Sequence, residues 1–225
     1  MTTTAPPWLS RLRKRFIVFD GPDGSGKSTQ FQRFSKFVQN AGIEVCEVRE
    51  PGGTHIGEQI RRVLLDPANK EEVDLRCEML LFMASRAQLV AQRIRPARHA
   101  GQMVLADRFI SSTLAYQGTA GGLPISDILE TGRIALGDCW PDLTVVFDVD
   151  EETALARMSP LLRQREFDTA HDRMELKGAD FHRTVRQGYL DQAKNDSSRY
   201  LVVDARGDAE SVYALLLKGI ESKMK

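Results

Sequence analysis

Cysteine is scarce in this chain, and what there is cannot frame a fold. Cys46, Cys77 and Cys139 are an odd number, far apart and without a C-x-x-C pair. Thiols used this way fit a reducing compartment, so a cytoplasmic location is expected. Charge of either sign is not in excess, because 31 Lys and Arg offset 31 Asp and Glu. The basic footprint of a nucleic-acid binder is therefore missing, and no nucleic-acid partner is expected. The four histidines do not cluster with cysteines or carboxylates at metal-ligand spacing, which argues against a zinc centre. After the basic residues Arg11, Arg13, Lys14 and Arg15 the apolar run is only a strand long, so neither a secretory leader nor a membrane partner is expected. No Pro/Ser-rich linker, long charge block or repeat divides the chain. Residues 1–14 read as a flexible N-terminal extension, and residues 15–225 as one domain.

What is present is a complete phosphate-cradling loop. Gly21-Pro22-Asp23-Gly24-Ser25-Gly26-Lys27-Ser28 matches G-x-x-x-x-G-K-[ST]. The apolar run Phe16 to Asp20 precedes it as a buried strand, and Thr29 to Ala41 follows with helical alternation, ending at Gly42. Glycines at 21, 24 and 26 let the backbone curl around an oxyanion and aim its N–H groups inward. The helix N-terminus adds its positive end, and Lys27 adds a charge for the β/γ-phosphates. Ser28 offers a hydroxyl to Mg²⁺. Residues Gly21 to Thr29 are thus the predicted ATP-binding segment.

Further strand-like runs are Ile43 to Arg49, Gln102 to Asp107, Leu143 to Val149 and Arg199 to Asp204. Helical patterns lie between them: Ile56 to Leu65, Leu75 to Arg95, Ile125 to Leu136, Glu152 to Leu162, Phe181 to Ala193 and Ala209 to Met224. Strands alternating with helices predict an α/β fold, a central parallel sheet with helices on both faces. In such a sheet the ligand sits beyond the carboxyl ends of the strands, where Asp20, Arg49 and Asp107 are delivered. The stretch Met158 to Arg173 stands apart, rich in arginine and broken by Pro160. A solvated face is the ordinary fate of such a run. A phosphate-binding protein has another use for it, a lid (about 158–173) whose Arg163, Arg165 and Arg173 close over the transferred phosphoryl group.

The phosphate loop alone leaves GTPases, ATPases, motors and small-molecule kinases open. Downstream come Arg49-Glu50-Pro51-Gly52-Gly53-Thr54, a helix carrying Arg61, and Leu81-Phe82-Met83-Ala84-Ser85-Arg86. Then follow Asp107-Arg108-Phe109-Ile110-Ser111-Ser112-Thr113-Leu114-Ala115-Tyr116-Gln117-Gly118, Pro141-Asp142-Leu143-Thr144 and Asp172-Arg173-Met174-Glu175. In this order the segments closely resemble the thymidylate kinase family, from about Arg15 to the C-terminus. The resemblance implies a nucleoside monophosphate kinase fold with an arginine-rich lid. It implies phosphorylation of dTMP to dTDP by ATP, a step toward dTTP, with Mg²⁺ and a homodimeric assembly.

The same resemblance distributes roles. Phe82 stacks on the thymine and Arg86, four residues on and so on the same helical face, donates to the base edge. Arg61 and Arg108 clamp the dTMP phosphate. Asp107 lies near Mg²⁺ and the phosphates, Asp23 meets the 3′-hydroxyl, and Glu50 faces the substrate. Gln117 meets the base, Tyr116 packs under the sugar, and Ser112 and Thr113 line the pocket. Arg206, after the last strand, contacts adenine. Catalysis falls to Lys27, Asp107, Arg108 and the lid arginines. Two departures stand out: Phe109 replaces a tyrosine common in the family, and Gly24 stands where one branch carries a catalytic arginine. The chain is similar in this to the bacterial branch, which takes that charge from the lid. The alternatives are a kinase for another (deoxy)nucleoside monophosphate, or a non-catalytic nucleotide-binding module. A GTP-dependent switch would want N-K-x-D, which Asn69-Lys70-Glu71-Glu72 fails.

Overall fold

The computed structural model describes residues 6–66, 72–157 and 178–224. Five short strands form one sheet: β1 (Phe16–Asp20), β2 (Val45–Arg49), β3 (Met103–Asp107), β4 (Leu143–Asp148) and β5 (Tyr200–Asp204). All pairings are parallel and the order is β2-β3-β1-β4-β5. Each predicted run is a strand, some trimmed by a residue or two at their ends. Parallel strands need long crossovers. Helices supply them: α1 (Lys27–Asn40), α2 (His55–Leu65), α3 (Leu75–Leu89), α4 (Arg95–His99), α5 (Ile110–Thr113), α6 (Ile125–Leu136), α7 (151–157), α8 (Ala179–Asn195) and α9 (Ala209–Lys223).

Every residue of β1 is buried, as a central strand covered on both faces requires. Ile17 and Phe19 face one side, where Phe31, Phe34 and Val38 of α1 meet Leu216 and Ile220 of α9. Phe16 and Val18 face the other, against Met79, Met83 and Leu89 of α3 and Ile128 of α6. Among the described residues no helix is long and apolar enough to cross a membrane.

Three features depart from the sequence expectation. The flexible extension is not free over its described part. Pro7–Leu12 forms a short 3-10 helix with Trp8, Leu9 and Leu12 buried in the α1/α9 core, and Arg11 Nη1 donates to the Met224 carbonyl at 2.7 Å. Burial of these three apolar side chains works against the entropy cost of ordering the segment. The single helix expected over 75–95 ends earlier and widens into a π turn, Val90–Ile94, before α4. Pro96 has no N–H to continue the ladder, and Arg95 N–H instead reaches the Val90 carbonyl. Residues 110–120, read only as a motif, are helical: α5 runs into a second π turn, Leu114–Ala120.

Candidate active site

The strand order reverses direction between β1 and β3, and the crevice beyond their carboxyl ends is where ligands of open α/β sheets bind. A cavity of about 240 Å³ opens there. Its lining draws on the loops after β1 (Asp23, Lys27), β2 (Arg49, Glu50) and β3 (Asp107, Arg108), on α2 (Arg61), on α3 (Phe82, Arg86) and on the 110–120 helix (Ser112, Thr113, Tyr116, Gln117). Every residue assigned from sequence to the acceptor nucleotide lies on this one wall.

The phosphate loop takes its shape from glycine. Gly21 and Gly24 have φ of +137° and +76°, and a Cβ on either would meet a backbone oxygen at 2.6 Å, of Phe147 and of Ala154. An arginine at position 24 would have to displace that backbone, so this loop is built without one. Gly26, also left-handed, turns the chain into α1, and Lys27 stands on the first turn with Nζ 2.6 Å from Asp107 Oδ1. Ser28 and Thr29 are exposed on the same turn. Ser28 and Asp107 offer hard oxygen donors, the chemistry Mg²⁺ prefers when most of its shell is water and phosphate. The donor set fits that ion.

Asp20 is the hub of the phosphate end. It is fully buried and accepts hydrogen bonds from Gly21 N (3.0 Å), Ser111 Oγ (2.6 Å), Ser112 Oγ (2.8 Å) and Tyr189 Oη (2.6 Å). Arg108 Nη1 joins it at 3.3 Å, while Nη2 pairs with Asp23. Arg108 has φ of +66°, a left-handed conformation costing about 1–2 kcal/mol outside glycine. That turn carries the guanidinium back into the hub. Burial works to raise the Asp23 carboxyl, but Arg108 and Lys27 outweigh it and hold it below its ordinary value. Tyr116 Oη donates to Asp23 at 3.1 Å, and burial keeps its phenol well above the usual range.

At the other end α3 presents Glu78, Phe82 and Arg86 at i, i+4 and i+8, one face of the helix. Phe82 lines the cavity half-buried. Arg86 is 1% exposed and Glu50 6%. Their contacts are bidentate, Nε to Oε2 at 2.8 Å and Nη2 to Oε2 at 2.6 Å with Nε to Oε1 at 3.0 Å. Nη2 also donates to Thr113 Oγ1 at 3.1 Å, and Nη1 reaches Met83 Sδ at 3.1 Å. Burial pushes the Glu50 carboxyl up to about 7, against the pull of Arg86. Phe109 is fully buried, edge-on to Phe16 at 4.9 Å and 5.2 Å beneath the Arg86 guanidinium. A phenolic hydroxyl has no part in that packing.

The remaining predicted residues differ in where they lie. Arg61 lines the cavity with Nη1 donating to the Pro51 carbonyl at 2.9 Å. Arg206 is outside it, its guanidinium folded onto Asp204 at 2.9 and 2.6 Å. Arg163, Arg165 and Arg173, with the whole lid, lie outside the described residues. Sequence reasoning missed Tyr189, whose hydroxyl closes the Asp20 hub from α8 far along the chain, and Glu78, which holds Gln117. It also missed Arg157, which donates to the carbonyls of Ala205, Arg206 and Gly207 at 2.8–3.0 Å and ties α7 to the loop after β5. Glu78 alone had a local signal, its spacing from Phe82 and Arg86.

With this geometry in place the comparisons are specific. A family model described as thymidylate kinase matches residues 19–215. A thymidylate kinase of Geobacillus sp. (strain WCH70) is 39% identical over 214 residues, covering 95% of this chain and 99% of the relative. One from Symbiobacterium thermophilum is 45% identical over 197 residues, 88% of each chain. A crystal structure of thymidylate kinase from Ehrlichia chaffeensis superposes with a TM-score of 0.71 at 30% identity, covering 92% of this chain and 98% of that one. Matched over most of its length by family model, relatives and fold, the chain belongs to the thymidylate kinase family.

Proposed function

We infer that this protein transfers the γ-phosphoryl group of ATP to dTMP, making dTDP. The observation that carries the reading is one continuous cavity. It has a phosphate end at Lys27, Asp107 and Arg108 and a base end at Phe82, Arg86 and Gln117. The nucleophile is a phosphate oxygen of dTMP, ionised at neutral pH, so no general base is needed. The residues' work is alignment and charge neutralisation. Lys27, paired to Asp107, stands at the phosphate loop to receive the β/γ-phosphates. Arg108 and Arg61 offset the repulsion between acceptor phosphate and ATP. Bound Mg²⁺ would be held by Ser28 and Asp107 and would add positive charge on the ATP phosphates. The lid assignment of Arg163, Arg165 and Arg173, and the adenine contact of Arg206, rest on sequence. Tyr116, held by Asp23, closes the sugar pocket.

A homodimer is the assembly we favour. Ile56 and Val63 on α2, and Leu80 on α3, are exposed apolar side chains on two helices packed together. Ile56, Ile60 and Val63 follow helical spacing along one stripe, as do Cys77, Leu80 and Ala84 on α3. Apolar stripes on adjacent helices fit an isologous interface. Light scattering at micromolar concentration is expected to give about twice the 25.2 kDa chain mass; a Leu80→Glu variant should give a monomer. A wild type that remains monomeric would exclude the dimer.

The substrate test is a panel. Thymine and uracil present a carbonyl oxygen at position 4, where cytosine presents an amino donor against Arg86. Loss of the 5-methyl group is worth about 1–3 kcal/mol, so dUMP should be roughly 10- to 200-fold weaker in kcat/KM than dTMP. The expected order is dTMP, then dUMP, with dCMP weaker still. Efficient phosphorylation of dCMP would mean that the base site is misassigned.

A further inference from the structure

We propose that Glu78 is a positioning residue for base selection: by holding the amide nitrogen of Gln117 it leaves the amide oxygen to face the bound base. The inference deepens the reading that Gln117 meets the base, and rests on it. Glu78 Oε1 accepts from Gln117 Nε2 at 2.8 Å, and the two side chains are 2% and 3% exposed. A terminal amide turned through 180° exchanges a donor for an acceptor with almost no change of shape. The carboxylate oxygen of Glu78 accepts from the amide nitrogen and so selects one of the two orientations. Glu78 lies in the first turn of α3, beyond the Asp74 cap, where the helix N-terminus favours a negative charge. Gln117 is also held from its backbone, its carbonyl accepting from Leu123 N at 3.0 Å. Its oxygen is therefore the atom left for the cavity.

The chemistry follows from the pyrimidine edge. Thymine carries a donor at N3 and an acceptor at O4; cytosine carries an acceptor at N3 and a donor at the 4-amino group. Arg86 supplies donors at one position, and Gln117, held by Glu78, supplies an acceptor at the next. Thymine matches both groups and cytosine opposes both. Arg86 alone would read only position 4. Gln117 adds a second, independent rejection of cytosine, and Glu78 sets it without touching the nucleotide. Adverse polar contacts of this kind are how a site discriminates against a similar ligand.

The test is kcat/KM for dTMP and dCMP in the wild type, Glu78→Leu, Glu78→Gln, Gln117→Leu and the Glu78→Leu/Gln117→Leu double variant. Glu78→Leu frees the amide to turn, and the dTMP/dCMP ratio should fall roughly 10- to 100-fold, the worth of one hydrogen bond in a charged setting. Glu78→Gln can present either its oxygen or its nitrogen to Gln117 and should give an intermediate ratio. It carries the test if the leucine variant fails to fold. In the Gln117→Leu background the Glu78 change should leave the ratio where Gln117→Leu alone puts it. If Gln117→Leu moves the ratio and the Glu78 variants do not, the positioning role is overturned. Equal losses for both nucleotides in the Glu78 variants would make Glu78 merely structural, and would overturn it too. An unchanged ratio in Gln117→Leu would instead overturn the base-site reading beneath it.

Discussion

Replacing Lys27 with alanine is expected to lower kcat by about 10³-fold while leaving the fold intact; removing one preorganised charge donor from a transition state costs roughly 10²–10³, and an ionic phosphate contact lies at or above the upper end. The structural cost is small. Lys27 is ion-paired with Asp107 at 2.6 Å, but the Asp107 side chain is 29% exposed, so water can solvate the carboxylate once the lysine is gone. The loop itself is shaped by its glycines and by backbone contacts to Phe147 and Ala154, none of which involve the lysine side chain. Circular dichroism and thermal unfolding should therefore resemble the wild type, with dTMP binding by calorimetry little changed. A folded Lys27→Ala protein with near-normal turnover would remove the phosphate-loop assignment.

Arg86→Ala is expected to be the most destabilising single change in the site. Breaking a buried pair by deleting one partner costs about 3–5 kcal/mol, because the other charge stays buried without compensation. Glu50 is that group, and the cost applies in full only above its raised value, because below it the carboxyl is neutral. Against a total stability of about 5–15 kcal/mol the loss is large, and partial unfolding at 37 °C is expected. The pH dependence has a definite sign. Glu50 already has its folded-state value raised from an ordinary 4.5 to about 7 by burial, so its contribution to stability is fully present below 4.5 and is lost as pH rises through 7. Without Arg86 the folded value rises further, so the deficit of the mutant should shrink on acidification and grow above pH 7. Urea unfolding of wild type and mutant from pH 5.5 to 8.5 measures this directly; a deficit that is constant with pH would rule out an orphaned Glu50 as its cause. The double variant Glu50→Met/Arg86→Met removes both charges and should recover much of the stability, since apolar replacement of a buried pair is often neutral. Its dTMP/dCMP ratio should still be reduced to what Gln117 alone maintains, which separates the stabilising role of the pair from the reading of the base.

Local pattern was enough for much of this molecule. Alternating apolar runs and helical spacings marked the five strands and most helices, because burial on a two-sided parallel sheet writes near-continuous apolar strands. It failed where distant parts decide. Trp8, Leu9 and Leu12 look like a mobile segment until α1 and α9 are brought beside them. Residues 110–120 read as a motif because Ser111, Ser112, Tyr116 and Gln117 blur the apolar periodicity. Ser111, Tyr116 and Gln117 are buried and Ser112 is half-buried, and each is hydrogen-bonded to Asp20, Asp23 or Glu78, partners that only the fold brings near.

The phosphate loop was legible in sequence alone because its chemistry is contiguous: glycines, lysine and serine must be adjacent to wrap one group of oxyanions. Helical spacing put Phe82 and Arg86 on one face, but their link to the base came from the family resemblance. The partners of those residues were not. That Glu50 rather than solvent balances Arg86, that Asp20 gathers Ser111, Ser112, Arg108 and Tyr189, and that Glu78 turns the amide of Gln117 are consequences of contacts across 36, 169 and 39 positions. Such contacts exist only once the chain is folded. The protonation of a carboxyl and the direction of an amide depend on the low-dielectric surroundings that tertiary packing creates, and no local pattern encodes those surroundings.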